Sequence, residues 1–203
     1  MRIGIIGAGN VGGNLGRAWG AKGHEIVYGV RNPGSPRARA TVGATAGARL
    51  ATLAEAAAFG EVVVIAVPGS AVAETLPQLG ELSGKIVVDT TNRFGSYGAD
   101  AGPSSAQYIA RKLPRARVVK AYNTIAADHL LRAQVGGGRV AAFIAADDSD
   151  ARATVMQLST ELGLDAVDVG GLSVAPALEQ MVFVYRAAAA SYGRNVGFSL
   201  LRG

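Results

Sequence analysis

The stretch Ile3-Gly4-Ile5-Ile6-Gly7-Ala8-Gly9-Asn10-Val11-Gly12 decides how the rest of the chain is read. Its apolar beginning predicts a strand over Arg2–Ile6, and the apolar spacing after it predicts a helix over Val11–Lys22. Between strand and helix stand Gly7, Gly9 and Gly12, in the order Gly-x-Gly-x-x-Gly. The first glycine of such a loop permits a tight turn, and the second lets backbone approach a pyrophosphate. The third lets the helix pack close to the sheet, while the helix N-terminus supplies amide donors and partial positive charge. Gly7, Gly9, Asn10, Val11 and Gly12 are therefore the expected phosphate-binding residues of a dinucleotide site. An acidic residue at the end of the second strand would bind the adenosine ribose hydroxyl. Arg31 stands there instead, and a guanidinium suits the extra phosphate of NADP(H). Asn32, Ser35 and Arg37 follow closely enough to complete that pocket.

The same alternation of strand and helix continues along the chain. Strands are expected at Arg2–Ile6, Glu25–Tyr28, near Arg49, Val62–Val67, Ile86–Asp89, Ala116–Lys120, Val140–Ala145 and Ala166–Val169. Helices are expected at Val11–Lys22, Leu53–Phe59, Gly69–Leu79, Ser105–Leu113, Asp150–Leu162 and Pro176–Tyr192. The pattern predicts an α/β fold of the Rossmann type: a doubly wound, mainly parallel sheet with a short C-terminal α/β extension. One domain is expected over residues 1–203, with the dinucleotide-binding core in 1–120 and the extension, 121–203, completing the second substrate's site. Arg31–Gly47 and Asn92–Ser104 read as the long loops, being rich in Gly, Pro and Ser.

Composition narrows the function classes. Of 203 residues, 49% are apolar and 17% charged, which is the balance of a globular domain. The absence of cysteine excludes disulfides, thiolate metal sites and cysteine nucleophiles, and suits a reducing cytoplasm, where the protein is expected to work. No apolar run approaches the roughly 20 residues that span a bilayer, so no membrane partner is expected. The short apolar stretch after Arg2 runs into the glycine loop instead of a small-residue cleavage site, and reads as a strand, not a leader. A net charge of +5 raises the question of nucleic acid. The basic residues are mostly scattered, and the group Arg31, Arg37 and Arg39 lies beside the cofactor loop, so an anionic cofactor accounts for it and no nucleic-acid partner is expected.

Loops at the carboxyl ends of parallel strands converge on the ligand. Ala66, Val67 and Pro68 end the fourth strand and are expected along the cofactor, while Asp89-Thr90-Thr91-Asn92 either lines the site or caps a turn. His24 reads as structural, on the side away from the site; His129 reads as a surface residue, and Trp19 as core. Lys120 and Tyr122 are expected to face opposite sides of the sheet and so not to act as a pair. Asp147, Asp148 and Asp150 read as a solvated loop and helix start, and no metal is expected. No Tyr-Lys or His-Asp pair stands ready for general acid catalysis.

Taken in order, Gly7–Gly12, Gly23 to Arg31, Ala66-Val67-Pro68 and Val118-Val119-Lys120-Ala121-Tyr122-Asn123-Thr124-Ile125 resemble the coenzyme F-420-dependent NADP oxidoreductase family, which is related to the reductase domain of membrane ferric reductases. Asp147 to Ala151, Glu161-Leu162-Gly163, Asp168 to Leu172 and the ending Gly197 to Leu201 resemble it too, so the likeness covers nearly the whole chain. The resemblance implies direct hydride transfer between the nicotinamide of NADPH and a deazaflavin ring stacked on it, with catalysis by positioning. Asn123, Thr124 and Ile125 would line the two rings, with Asn123 and Ile125 touching the cofactor. The implied partner is a small-molecule redox substrate, coenzyme F-420 or a flavin; pairing is common in the family, so a homodimer through the apolar final helix, Ala187 to Ala190 included, is also implied.

The chain departs from the family pattern in places. Asn123 stands where F-420-using archaeal members tend to carry histidine, and Val30 where many carry serine. Pro176 falls where a basic residue is common, and Gln180 and Val182 replace small hydroxyl residues. These departures leave other readings open: a flavin or ferric reductase, an imine-type or 3-hydroxyacid reductase, or a non-catalytic NADP-binding sensor.

Overall fold

The computed structural model describes residues 1–93 and 103–203. Among these residues there are ten strands: β1 Arg2–Ile6, β2 Glu25–Gly29, β3 Arg49–Ala51, β4 Val62–Ile65, β5 Ile86–Asp89, β6 Arg117–Lys120, β7 Gln134–Val135, β8 Gly138–Arg139, β9 Ala141–Ala146 and β10 Asp165–Asp168. The helices are α1 Asn10–Gly20, α2 Pro36–Gly43, α3 Leu53–Phe59, α4 Val72–Thr75, α5 Ser105–Lys112, α6 Ser149–Glu161 and α7 Ala175–Tyr192.

Eight strands form one sheet in the order β10-β9-β6-β5-β4-β1-β2-β3, and β7 and β8 pair in a separate hairpin. From β3 to β6 every pairing is parallel. β9 then joins β6 antiparallel, and β10 lies parallel to β9. The strand order 3-2-1-4-5-6 is that of a Rossmann sheet, so the α/β class expected from the alternation is the one found. The C-terminal extension supplies the two strands of opposite direction.

Burial explains why the sheet has helices on both sides. β4, Val-Val-Val-Ile, is buried at all four positions, as a central strand must be. Alternate residues feed two cores: Ile3, Ile5, Val62 and Val64 join Leu15 and Trp19 of α1 and Val155 and Leu158 of α6. On the other face, Ile6, Val63 and Ile65 join Ala56 and Ala57 of α3, Ile109 of α5 and Ala175 of α7. Trp19 is fully buried, as expected, and its Nε1 donates to Leu158 O at 3.1 Å.

Several expectations need correction. The fourth strand ends at Ile65 instead of Val67, because the chain turns toward Pro68. The helix expected over Gly69–Leu79 is a single α turn between two 3-10 turns, with Pro77 removing an amide donor. Within the expected loop Arg31–Gly47 lies α2, started by Pro36 in its first turn. Most of the expected loop Asn92–Ser104 lies outside the described residues. His129 is buried at 5% exposure, not on the surface. Among the described residues no helix is long and apolar enough to cross a membrane, and no acidic or histidine group is arranged to hold a metal.

Candidate functional site

The carboxyl ends of β1, β2, β4 and β5 open into one cleft of about 590 Å³. Gly7, Ala8, Gly9, Asn10 and Val11 form one wall; Val30, Arg31, Asn32, Ser35 and Arg37 form another. Ala66, Val67 and Pro68 follow from β4, and Thr90, Thr91 and Asn92 from β5. These are the loops around the point where strand order reverses, which is where ligands of open α/β sheets bind.

The glycine loop has the geometry its spacing predicts. Gly7 has φ +110, a region that a side chain disfavours, and its N–H donates to Gly29 O at 2.9 Å. A Cβ on Gly12 would lie 2.2 Å from Gly7 O and 3.1 Å from the Ala66 Cβ. Gly12 therefore does not touch the cleft; it lets α1 sit against the loop that does. No side chain caps the start of α1, and no acidic residue lies in its first turn. The amides and dipole of the helix face the cleft without a competing carboxylate.

The two arginines do not sit alike. Arg37 Nη2 donates to Asn10 Oδ1 at 2.8 Å, so its guanidinium lies across the glycine loop. Arg31 reaches over the mouth of the cleft to Glu74 of α4, with Nη1 3.7 Å from Oε1 and both side chains about two-thirds exposed at 67% and 66%. Water screening leaves such an exposed pair weak and easily broken by a phosphate. Asn32 Oδ1 accepts from Gly34 N at 2.9 Å, which shapes the turn that carries Ser35.

Asn123, Thr124 and Ile125 are all buried and are not part of the cleft wall described above. Asn123 Nδ2 donates to Asn92 Oδ1 at 2.9 Å and to Leu178 O at 2.8 Å, while Asn92 Nδ2 donates to Asn123 O at 3.1 Å. Asn123 thus meets the cleft through Asn92. Its own Oδ1 is buried without a hydrogen-bond partner in the described structure. Pro176 occupies the first turn of α7, Gln180 is exposed on that helix, and Val182 is buried in it.

Lys120 and Tyr122 do face opposite layers, but strand alternation is not the reason, since residues two apart on a strand share a face. β6 ends at Lys120, and Tyr122 takes φ +64, turning its ring into the core of α1 and α6. His24 is structural as expected, with Nε2 2.7 Å from Glu161 Oε2. Asp148 caps α6 by accepting from Ala151 N at 2.7 Å, and Asp147 accepts from Leu172 N at 2.8 Å.

One constellation escaped the reading of the sequence. Lys120 is fully buried, and its ammonium donates to Asp89 Oδ2 at 2.8 Å, to Glu179 Oε1 at 2.8 Å and to Thr91 O. The signal was present in part: Asp89 and Lys120 end two apolar strands at the same register position. Glu179 comes from α7, and only the fold brings it there.

The fold and the cleft are those of a dinucleotide-binding domain of the Rossmann type. Residues 2–93 match the model of the family described as NADP oxidoreductase, coenzyme F420-dependent, and the dinucleotide-binding part of the chain belongs to that family. The chain is 30% identical to the metalloreductase STEAP3 of Rattus norvegicus over 179 residues, covering 88% of this chain and 36% of that protein. It therefore spans little more than a third of that curated relative. A crystal structure of a candidate F420-dependent NADP reductase from Arthrobacter sp. FB24 superimposes with a TM-score of 0.89 at 29% identity, covering 98% of this chain and 99% of that one. A reductive aminase from Aspergillus terreus, solved with NADPH and ethyl levulinate, shares the fold at a TM-score of 0.72 and 20% identity, over 94% of this chain and 62% of that one.

Proposed function

We propose that the cleft binds NADP(H) and that the protein passes a hydride between its nicotinamide and a conjugated acceptor, coenzyme F-420 in the first instance. The single observation that carries this reading is the charge of the cleft wall. Among the described residues, its only ionisable side chains are Arg31 and Arg37, both cationic. That wall attracts phosphate and offers no carboxylate, imidazole or phenol to move a proton. It suits hydride transfer between two rings in contact, where the acceptor delocalises the incoming charge and catalysis is positioning.

Each wall then has a part. The glycine loop and the α1 N-terminus bind the pyrophosphate, with Arg37 closing over it from Asn10. Arg31 leaves Glu74 to hold the 2′-phosphate of the adenosine. Ala66, Val67 and Pro68 run along the ribose, and Thr90, Thr91 and Asn92 bound the nicotinamide end. Asn123, through Asn92, keeps that end in shape, with Thr124 and Ile125 packed behind it. When bound, NADPH supplies the hydride. The similarity to the metalloreductase STEAP3 supports a metal ion, tested below as a ferric chelate, as the second choice of acceptor. The partner we propose beside these small molecules is a second copy of the chain, docked through α7.

Purified protein is mixed with NADPH and, separately, F-420, FMN or a ferric chelate, and absorbance at the nicotinamide band is followed. Sustained oxidation with one acceptor is expected. Tight NADPH binding with no oxidation by any of them would instead make the protein a sensor. Arg31→Ala should weaken NADPH binding by roughly tenfold or more and leave NADH within about twofold, since charge-assisted bonds to the extra phosphate are lost. Equal losses for both cofactors would remove Arg31 from the phosphate.

A further inference from the structure

We propose that Asp89, Lys120 and Glu179 form a buried cluster of net negative charge that favours the oxidised, cationic nicotinamide and so makes bound NADPH a stronger hydride donor. The proposal rests on the placement of the nicotinamide beside Thr90–Asn92 given above.

The three side chains are between 0% and 4% exposed. Glu179 accepts from Lys120 Nζ and from Ser105 N with Oε1, the latter at 2.7 Å, and from Arg93 N with Oε2 at 2.7 Å. Asp89 accepts from Lys120 Nζ with Oδ2, and from Thr91 N and Thr91 Oγ1 with Oδ1 at 2.9 and 2.7 Å. Ser105 Oγ lies 2.6 Å from Thr91 Oγ1, placed to donate to it once Thr91 has donated to Asp89. Every group around the two carboxylates therefore donates, which is the pattern of two carboxylate anions. Lys120 spends all three of its protons on Asp89, Glu179 and Thr91 O, so it has none to give a substrate. Two anions and one cation leave one buried negative charge.

That charge lies directly behind the cleft. Thr91 bonds both Lys120 and Asp89 and also lines the cleft; Asn92 lines it too, and Arg93, whose amide Glu179 holds, follows next. Arg93 meets the cluster through its amide and is partly exposed as a residue, whereas the three side chains of the cluster are buried. Transfer of a hydride, two electrons with one proton, to the conjugated acceptor leaves one positive charge on the nicotinamide ring. A fixed negative charge in a low-dielectric wall stabilises that charge as it develops and costs no reorganisation. Glu179 and Asp89 are positioning residues in this account, acting on the ring by their field and through the Thr91–Arg93 backbone.

The test compares affinities, so it does not depend on knowing the acceptor. Dissociation constants for NADPH, NADP+ and 2′,5′-ADP are measured for the native protein and for Glu179→Gln. The substitution should weaken NADP+ relative to NADPH by on the order of tenfold, the effect of one unit charge about 10 Å away at an effective dielectric near 20. Binding of 2′,5′-ADP, which has no nicotinamide, should stay within about twofold. Asp89→Asn removes the same unit charge from the same ammonium and carries the same expectation should Glu179→Gln not fold. An unchanged ratio of NADP+ to NADPH affinity in a folded variant would overturn the proposal, and so would an equal loss for both forms, which is what a purely structural role predicts. If the native protein fails to bind 2′,5′-ADP, it is the assignment of the cleft itself that falls.

Discussion

Gly16 plays no part in the phosphate fingerprint, yet the space around it is tighter than at Gly9 within that fingerprint. A Cβ there would stand 2.1 Å from the Tyr28 hydroxyl and 2.9 Å from the Ile5 Cδ1. Tyr28 cannot yield, because its hydroxyl donates to Gly13 O at 3.3 Å and lies 2.9 Å from Thr45 Oγ1 in the core. Gly16 is therefore the point at which α1 rests on the sheet, and Gly9, where a Cβ would meet only Arg37 at 3.8 Å, is open toward the ligand. Gly16→Ala is expected to cost about 1–3 kcal/mol by overpacking, read as a lower denaturant midpoint. It should also lower dinucleotide affinity, since pushing α1 outward moves the amides proposed to hold the pyrophosphate. An unchanged midpoint would mean that α1 can slide away from Tyr28 without loss.

At the scale of elements, α7 raises the question that the sheet does not. Its first two turns are anchored by Ala175, Leu178, Glu179 and Val182, all buried. Beyond them, Val184 at 61% and Tyr192 at 82% exposure stand in solvent, and Ala187 to Ala190 run between. Apart from Arg186 and Ser191 this stretch of helix is apolar, and an apolar stretch of helix is normally covered. The proposed second copy would cover it, and Val184→Glu should turn a dimer into a monomer in light scattering while NADPH affinity stays within about twofold. A native protein that is monomeric at tens of micromolar would dispose of the proposal. The same helix shows what sequence could and could not reveal. Elements whose apolar spacing is strong, β1, α1, β4, β5 and α6, were legible to within a residue or two. α2 was not, because its only buried residue is Ala38 and its run Pro-Arg-Ala-Arg has no apolar face. The phosphate loop was legible because backbone geometry demands glycine at fixed spacing. Glu179 was not, since nothing local marks a glutamate that meets Lys120 across 59 positions.

For the whole molecule, two phenols buried in one core tie stability to pH. Tyr28 and Tyr122 both belong to the cluster that α1 and α6 cover, and Tyr122 packs edge-on to Trp19 with ring centroids 5.9 Å apart. Burial raises the Tyr122 pKa strongly, against a smaller lowering by its hydrogen bond to Ser159. Burial raises that of Tyr28 as well, partly offset by Thr45. In the unfolded chain both ionise near their ordinary value of about 10. Below that pH folded and unfolded states hold the same phenolic protons, so the full stability is present. As pH rises through about 10, the unfolded state releases protons that the folded state keeps, and stability falls by linkage. Lys85 works the other way: desolvation lowers its pKa, so the folded protein gains slightly as pH approaches the ordinary lysine range. Two buried phenols outweigh one partly exposed amine. The denaturant midpoint of the native protein is thus expected to be level from about pH 8 to 9.5 and to drop steeply above about 10. Tyr122→Phe loses the Ser159 hydrogen bond and so starts lower, but it should flatten the alkaline slope, because a phenyl ring has no proton to release. A Tyr122→Phe slope as steep as the native one would shift the alkaline sensitivity to other groups.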